Sequence, residues 1–246
     1  MTEIITNYLQ ANKFSNLDLR AVLFDMDGII YNSMPAHQLS WDKVIKEWGL
    51  KARPNESYMQ EGRPSRLMIN SLFQRNLNRD ATPQEIKDLY ERKTELFFQN
   101  DNGALIPGIE ETIKIVQSRG LTPILVTGSG QSGLYERLNG DLPNIFTPEN
   151  MVTAFEVVIG KPDPEPYLIG LEKAGNLKPN QAIVLENAPL GVESAHRANI
   201  FTIAVNTGPL PDSVLMDAGA DMLMDSMEAF NIELPKLLDL AMSIKN

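Results

Sequence analysis

Three pairs of polar side chains each follow a short run of apolar residues. These pairs are Asp25 with Asp27, Thr127 with Ser129, and Glu186 with Asn187. Apolar runs of this kind predict buried parallel strands, whose C-terminal ends meet at one edge of an open sheet. Lys161 lies in the segment 160–164, GKPDP, just before a predicted helix, and can reach the same edge. The sequence therefore predicts one cleft that collects side chains from distant parts of the chain.

The chemistry of these side chains suits phosphoryl transfer. Carboxylate and amide oxygens are hard ligands of the kind that Mg²⁺ prefers. A hydroxyl, a lysine and the backbone N–H groups of a glycine-rich loop suit a phosphoryl group. A carboxylate beside Mg²⁺ and a lysine can attack phosphorus and form an acyl phosphate. A second carboxylate two residues further on can serve as the general acid and base.

The elements that must position these residues alternate between strands and helices. Strands are predicted over 21–24, 123–126, 151–154, 182–185 and 201–205, and helices over 110–119, 133–138, 164–174 and 190–198. Such alternation requires a parallel sheet that is covered by helices on both faces. The predicted fold class is therefore α/β, with a Rossmann-like parallel sheet. A short amphipathic helix within residues 3–17 is expected to pack on this body.

The segment 32–102 differs in character from the rest of the chain. It is polar, with apolar residues such as Trp41, Val44 and Trp48 at helical spacing, and Thr82-Pro83 is typical of a helix start. No strand is predicted in it. We therefore expect an α/β core of residues 1–31 and 103–246 and an inserted α-helical domain of residues 32–102.

Composition excludes several classes of function. The 246 residues carry 22 Lys and Arg against 32 Asp and Glu, a formal net charge of −10, which disfavours nucleic acid as a partner. The chain has no cysteine, which excludes disulfides, cysteine-ligated metals and thiol nucleophiles. It has only two histidines, His37 and His196, so multi-histidine metal sites are excluded as well.

No signal peptide and no apolar run of about 18 residues is seen. We expect a cytoplasmic protein without membrane contact, with monomer as the default.

Together the polar motifs resemble those of the haloacid dehalogenase-like hydrolases. The residues that carry the resemblance are Asp25-Met26-Asp27-Gly28, Thr127, Lys161 in GKPDP, and Glu186-Asn187 with Gly191-Val192. The resemblance extends from about residue 20 to residue 208. It is strongest to the branch that contains β-phosphoglucomutase and related sugar phosphatases. It implies Mg²⁺ as the cofactor and a small phosphorylated sugar or similar metabolite as the substrate. It also implies that residues 1–31 and 103–246 are the hydrolytic core and that residues 32–102 are the family's small helical cap domain, which closes over the substrate.

The resemblance implies a role for each catalytic residue. Asp25 corresponds to the nucleophile and also to a Mg²⁺ ligand. Asp27 corresponds to the general acid and base, with its backbone carbonyl on the metal. Thr127 is expected to bind a phosphoryl oxygen, and Lys161 to neutralise charge between Asp25 and the phosphoryl group.

The metal shell departs from the pattern of the family. The resemblance places Glu186 and Asn187 at the acidic pair that closes this shell, which is commonly Glu-Asp. The amide of Asn187 still offers one oxygen to Mg²⁺, but it removes a negative charge. We therefore expect weaker metal binding, or a different division of labour with Glu186, without loss of activity.

The substrate is expected to meet residues of both predicted domains. The candidates are Gly128 and Ser129 in the loop of Thr127, and His37, Arg63, Arg66 and Lys93 in the cap. Histidine and lysine occur at corresponding cap positions in the mutase, whereas neither arginine falls at the aligned position without a shift of register. Cap cations suit a second phosphate, as a mutase requires.

These observations favour hydrolysis of a small phosphorylated sugar or metabolite and leave β-phosphoglucomutase as the alternative. A non-catalytic phospho-ligand-binding module, or a phospho-accepting signalling module, is the alternative of another class. Carbon–halogen hydrolysis is disfavoured, because it needs neither Asp27 nor a metal. Phosphonate cleavage would need a cap lysine that forms a Schiff base, and no lysine can be assigned to that role.

Overall fold

A six-stranded sheet forms the centre of the computed structural model, which describes residues 1–130 and 133–243. The strands are β1 Ala21–Phe24, β2 Thr122–Val126, β3 Met151–Val152, β4 Ala182–Glu186, β5 Phe201–Val205 and β6 Met222–Met224. Their order is β3-β2-β1-β4-β5-β6, and all five pairings are parallel. This topology confirms the predicted Rossmann-like α/β class.

Helices cover the sheet and form the segment between β1 and β2. They are α1 Thr2–Asn12, α2 Met34–Glu47, α3 Glu56–Met59, α4 Ser65–Leu77, α5 Pro83–Asn100, α6 Ile109–Ser118, α7 Leu134–Asp141, α8 Glu165–Lys173, α9 Pro189–Arg197, α10 Asp212–Asp217 and α11 Met227–Ser243. Short 3₁₀ turns occupy Pro148–Asn150 and Pro179–Gln181. In the described chain, no helix combines the length and apolarity needed to span a membrane.

The strands are apolar along their whole length because both faces of the sheet are covered. Every residue of β1, β4 and β5 is buried. Phe24 and Ile183 belong to a hydrophobic cluster on one face, which includes residues of α1, α6 and α11. Leu23 and Val184 belong to a cluster on the other face, which includes residues of α8 and α9. A continuous apolar run is what such doubly covered strands require.

The structure extends and trims the predicted elements. The sequence analysis assigned nothing after residue 205, whereas β6 and α11 complete the sheet edge and one covering layer. Three residues of β6 are too few to show a period, and α11 contains Pro235, which is atypical of a helix interior. The predicted strand at 151–154 is only two residues long. Helix α1 ends at Asn12 because Lys13 takes up a left-handed conformation.

The helical segment between β1 and β2 has a hydrophobic cluster of its own. Side chains of α2, α4 and α5 form it, including Trp41, Val44, Leu72 and Leu89. Helix α5 begins at the predicted position, where Thr82 and Glu85 form a capping box. A separate cluster supports the expectation that residues 32–102 form an inserted domain, whose boundaries stay a prediction.

Candidate active site

Strands β1, β2 and β4 bring three of the predicted polar groups to one edge of the sheet. Asp25 follows β1, Thr127 follows β2, and Glu186 is the last residue of β4. Phe24 is in register with both Leu125 and Leu185, so the next residues along each strand lie side by side. The parallel register of the central strands therefore brings these side chains together at one edge of the sheet.

Lys161 links two carboxylates in the interior of this edge. Its Nζ lies 2.6 Å from Oδ1 of Asp25 and 2.6 Å from Oε1 of Glu186, and 3.2 Å from the carbonyl oxygen of Val126. Burial opposes a charge on Lys161, but the two carboxylates outweigh burial and hold the pKa of Lys161 above its ordinary value. Lys161 is therefore a fixed positive charge against Asp25.

Both oxygens of Glu186 are occupied by hydrogen-bond donors. Oε1 accepts hydrogen bonds from Lys161 and from the Tyr167 hydroxyl at 2.6 Å each. Oε2 accepts from the backbone N–H groups of residues 187 and 188 at 3.1 and 3.3 Å. A Cβ on Gly191 would lie 1.8 Å from Oε1, so only glycine leaves room for this carboxylate. Glu186 is thus arranged to hold Lys161.

Asp25 and Asn187 each present polar atoms without partners at the same edge of the sheet, because β1 and β4 pair in parallel just before them. Oδ2 of Asp25 and both side-chain polar atoms of Asn187 are buried and accept or donate no hydrogen bond within the described chain. Gly28 makes room for the amide, since a Cβ there would lie 1.8 Å from Nδ2 of Asn187. Burial above all, and the charge of Glu186, raise the pKa of Asp25, while Lys161 opposes the shift. Buried polar atoms are rarely left unsatisfied, so two orphaned hard oxygens fit a divalent cation such as Mg²⁺.

Asp27 joins a second polar network. Its Oδ1 accepts a hydrogen bond from the Ser33 hydroxyl at 2.5 Å and lies 3.3 Å from Nε2 of His37. Nζ of Lys93 lies 2.7 Å from Nδ1 of His37. Burial opposes ionisation of Asp27, but His37 and Ser33 together lower its pKa to about 2.

Glu61 is a member of this network that the sequence analysis did not propose. It lies in the loop between α3 and α4 and lines the same cavity as His37 and Lys93. Burial raises the pKa of Glu61, and the attraction of His37 opposes that shift. Ser33 and Tyr167 were missed as well. The sequence held no signal for any of them, because an acid in a polar loop, a helix-flanking serine and an apolar-face tyrosine are common features of ordinary helices and loops.

The loop that contains Glu61 lies directly on the sheet edge. A Cβ on Gly62 would lie 2.7 Å from Cδ of Lys161, and a Cβ on Gly128 would lie 3.4 Å from the carbonyl oxygen of Gly62. This contact closes a cavity of about 70 Å³ between the helical segment and the core. The residues that line it include Asp27, His37, Trp41, Glu61, Arg63, Ser65, Lys93, Gly128 and Ser129.

The structure brings most of the proposed substrate-binding residues to this cavity, but not Arg66. Nη1 of Arg63 donates to Oε1 of Gln60 at 2.7 Å, and its Nε is buried without a partner in the described chain. Arg66 is exposed and lies outside the cavity wall, because α4 begins at Ser65 and its first turn points position 66 toward solvent. The expectation that Arg66 faces the substrate is therefore not met in this structure.

The loop that is predicted to bind a phosphoryl group follows β2. Thr127 is buried, and its backbone N–H donates to the carbonyl oxygen of Val152 at 2.9 Å. Its hydroxyl accepts a hydrogen bond from the backbone N–H of Ser129 at 3.0 Å. The described part of this loop, with Gly128, therefore stands beside Asp25 at the edge of the sheet and forms part of the cavity wall.

Comparison with known proteins agrees with this geometry. The profile of the haloacid dehalogenase-like hydrolases matches residues 22–205, and the chain belongs to this family. A phosphorylated carbohydrates phosphatase of Thermotoga maritima is 31% identical over 218 residues, which are 87% of this chain and 98% of the relative. A hexitol phosphatase A of Escherichia coli is 27% identical, over 87% of this chain and 94% of the relative.

A solved structure of a β-phosphoglucomutase-like protein from Bacteroides vulgatus is similar over nearly the whole chain. It has a TM-score of 0.93 and 48% sequence identity, and covers 98% of this chain and 97% of that one. The family resemblance predicted from the four motifs is therefore confirmed. Sheet order, motif order and these relatives together define an enzyme of the phosphatase and phosphoglucomutase kind.

Proposed function

We propose that this chain is a Mg²⁺-dependent phosphatase that works through an aspartyl phosphate on Asp25. The observation that carries the proposal is that Lys161 donates to one oxygen of Asp25, while the other oxygen is buried and has no partner in the described chain. One carboxylate oxygen is thus held by a fixed cation and the other is available for a ligand. Mg²⁺ would be held by Asp25, Asn187 and the Asp27 carbonyl, and it would neutralise negative charge on the phosphoryl group.

In this proposal each side chain has one task. Asp25 attacks phosphorus as the bond from phosphorus to the leaving oxygen breaks, and that oxygen takes a proton from solvent. Thr127 binds a phosphoryl oxygen, and Lys161 neutralises charge on the same group. Asp27, with its pKa lowered to about 2, is ionised and takes a proton of the water that attacks the aspartyl phosphate, while the bond from Asp25 to phosphorus breaks and releases inorganic phosphate. Glu186, whose oxygens are all engaged, positions Lys161 rather than contacting the cation itself.

We further propose that residues 32–102 act as a cap that excludes water and selects the substrate. The contact of Gly62 with the core loops supports this role. A cavity of about 70 Å³ is small beside the roughly 300–1,000 Å³ of typical ligand pockets. Its size favours a compact leaving group, and Lys93 and Arg63 favour an anionic one. Small phosphorylated metabolites and inorganic diphosphate meet both conditions.

Phosphohexomutase activity is the second candidate. It is favoured by the likeness to the β-phosphoglucomutase-like structure and by Lys93 and Arg63, which could hold a second phosphate. The small size of the cavity argues against it, because a mutase must hold a hexose bisphosphate there.

One ³¹P NMR time course separates these candidates. The protein is incubated with Mg²⁺ and, in turn, inorganic diphosphate, a triose phosphate, and β-glucose 1-phosphate with a trace of glucose 1,6-bisphosphate. We expect inorganic phosphate to accumulate fastest from the smaller substrates. Glucose 6-phosphate without inorganic phosphate would establish the mutase instead. Asp25→Asn is expected to abolish turnover, whereas Asp88→Asn, a matched change at an exposed position, should leave it unchanged.

A further inference from the structure

Arg137 has a set of contacts that none of the steps above uses. It lies on α7 of the core, and its Nη1 donates to Oδ2 of Asp101 at 3.0 Å. Its guanidinium carbon lies 3.9 Å from the centre of the Tyr31 ring. The Tyr31 hydroxyl in turn donates to Oδ2 of Asp141, also on α7, at 2.8 Å. Through Arg137 and Asp141, helix α7 therefore contacts both the Tyr31 side chain and the Asp101 carboxylate.

The two groups that Arg137 contacts belong to the two connections between the core and the helical segment. We call residues 30–33 the first linker and residues 101–106 the second linker. Tyr31 lies in the first linker, and Asp101 lies in the second. The linkers also pair with each other, because Asn32 N–H donates to the carbonyl oxygen of Ala104 and Ile106 N–H donates to that of Ile30, each at 2.8 Å.

The environment of Arg137 differs from that of an ordinary surface arginine. The Asp101 side chain is 7% exposed, and Nη2 of Arg137 is buried with no partner in the described chain. Removing one partner of such a pair leaves the other charge unpaired away from water. Arg119 offers the contrast: its Nη1 pairs with Oδ1 of Asp239 at 2.7 Å between α6 and α11, and the Asp239 side chain is 62% exposed.

We propose that Arg137 is a positioning residue that fixes both linkers to the core and thereby sets the cap over the active site. The flat guanidinium group suits this task, since its edge binds a carboxylate while its face stacks on an aromatic ring. Lysine offers no equivalent of both contacts. Only the last step, from cap position to substrate binding, rests on the proposed function.

Hydrogen exchange followed by mass spectrometry tests the linkers without reference to activity. In Arg137→Met, we expect amides 32 and 106 to exchange at least about tenfold faster than in the parent protein. The sheet peptide 182–186 should keep its parent rate. Arg119→Met, the matched removal of an exposed ion pair, should change neither linker. Adding Asp101→Asn to Arg137→Met should cause little further increase, because the two side chains act through one contact.

Kinetics then test whether the linkers position the cap. With p-nitrophenyl phosphate and Mg²⁺, we expect Arg137→Met to raise KM about threefold or more while kcat changes less than twofold, and Arg137→Lys to restore KM only in part. Unchanged linker exchange would overturn the proposal. Faster exchange with unchanged KM would overturn the positioning role and leave a purely structural one. A parent protein without phosphatase activity would contradict the proposed function alone, because the exchange result does not depend on it.

Discussion

The two polar networks of the active site are built in opposite ways. The network of Asp25, Lys161 and Glu186 lies at the end of the central strands, and every hydrogen-bonding position of Glu186 is filled. The network of Asp27, His37, Lys93 and Glu61 forms only where the helical segment meets the core. The first is fixed by sheet geometry, and the second depends on the position of the cap. This difference predicts that mutations in the first network affect stability and chemistry together, whereas those of the second-network side chains from the helical segment, His37, Lys93 and Glu61, affect substrate selection and pH response.

The largest effect is expected from Lys161→Met. It leaves two buried carboxylates without their shared cation, which costs about 3–5 kcal/mol of unfolding free energy. Urea denaturation at pH 7 measures the loss, and hydrolysis should fall to background. Combining the change with Glu186→Gln should recover part of the stability but none of the activity. Lys236→Met, which removes an exposed ion pair with Glu233, should cost less than about 1 kcal/mol. Equal losses at both lysines would contradict the role of Lys161 as the shared cation of two buried carboxylates.

Asn187→Asp is expected to separate stability from metal binding. Without Mg²⁺, the new charge lies beside Asp25 and Glu186, which should lower the midpoint of thermal unfolding. With Mg²⁺, the added charge should tighten binding, so the rise in midpoint on adding Mg²⁺ should exceed that of the parent protein. Thermal melts with and without Mg²⁺ measure both effects. A smaller response to Mg²⁺ than in the parent would show that Asn187 does not face the cation.

The division between the networks also explains what the sequence could predict. Asp25, Thr127 and Glu186 each follow an apolar run, and parallel register places the ends of neighbouring strands together, so their proximity was predictable. Glu61 gave no such signal, because its place depends on how the helices of residues 32–102 pack on the core. The contact of Tyr167 with Glu186 could not be predicted either, because it is a hydrogen bond between side chains 19 residues apart in the sequence.

A pH titration should distinguish Asp27 from an ordinary surface carboxylate. Its lowered pKa means that the folded protein binds this proton less readily than the unfolded chain does. The resulting stability, about 2 kcal/mol, is complete above the unfolded pKa of about 4 and is lost as the pH falls through about 2. The difference in unfolding free energy between the parent protein and Asp27→Asn should therefore shrink over this range. In His37→Asn the loss should be smaller and should end at a higher pH, because the main group that lowers the folded-state pKa is gone. An unshifted loss would mean that His37 does not control Asp27.

The smallest and sharpest contrast lies between two arginines only three residues apart. Arg63 lines the cavity with its Nε buried and unpaired, whereas Arg66 is exposed on the first turn of α4. Arg63→Ala should raise KM for an anionic substrate a few-fold, by about 1 kcal/mol of lost binding, with little change in kcat. Arg66→Ala should change both the substrate-binding free energy derived from KM and the free energy of unfolding by less than about 0.5 kcal/mol. Steady-state kinetics on the best substrate of the NMR panel measures both. A larger effect at Arg66 than at Arg63 would require the first turn of α4 to rotate when substrate binds, and the closed cavity would then not be the form in which the substrate is recognised.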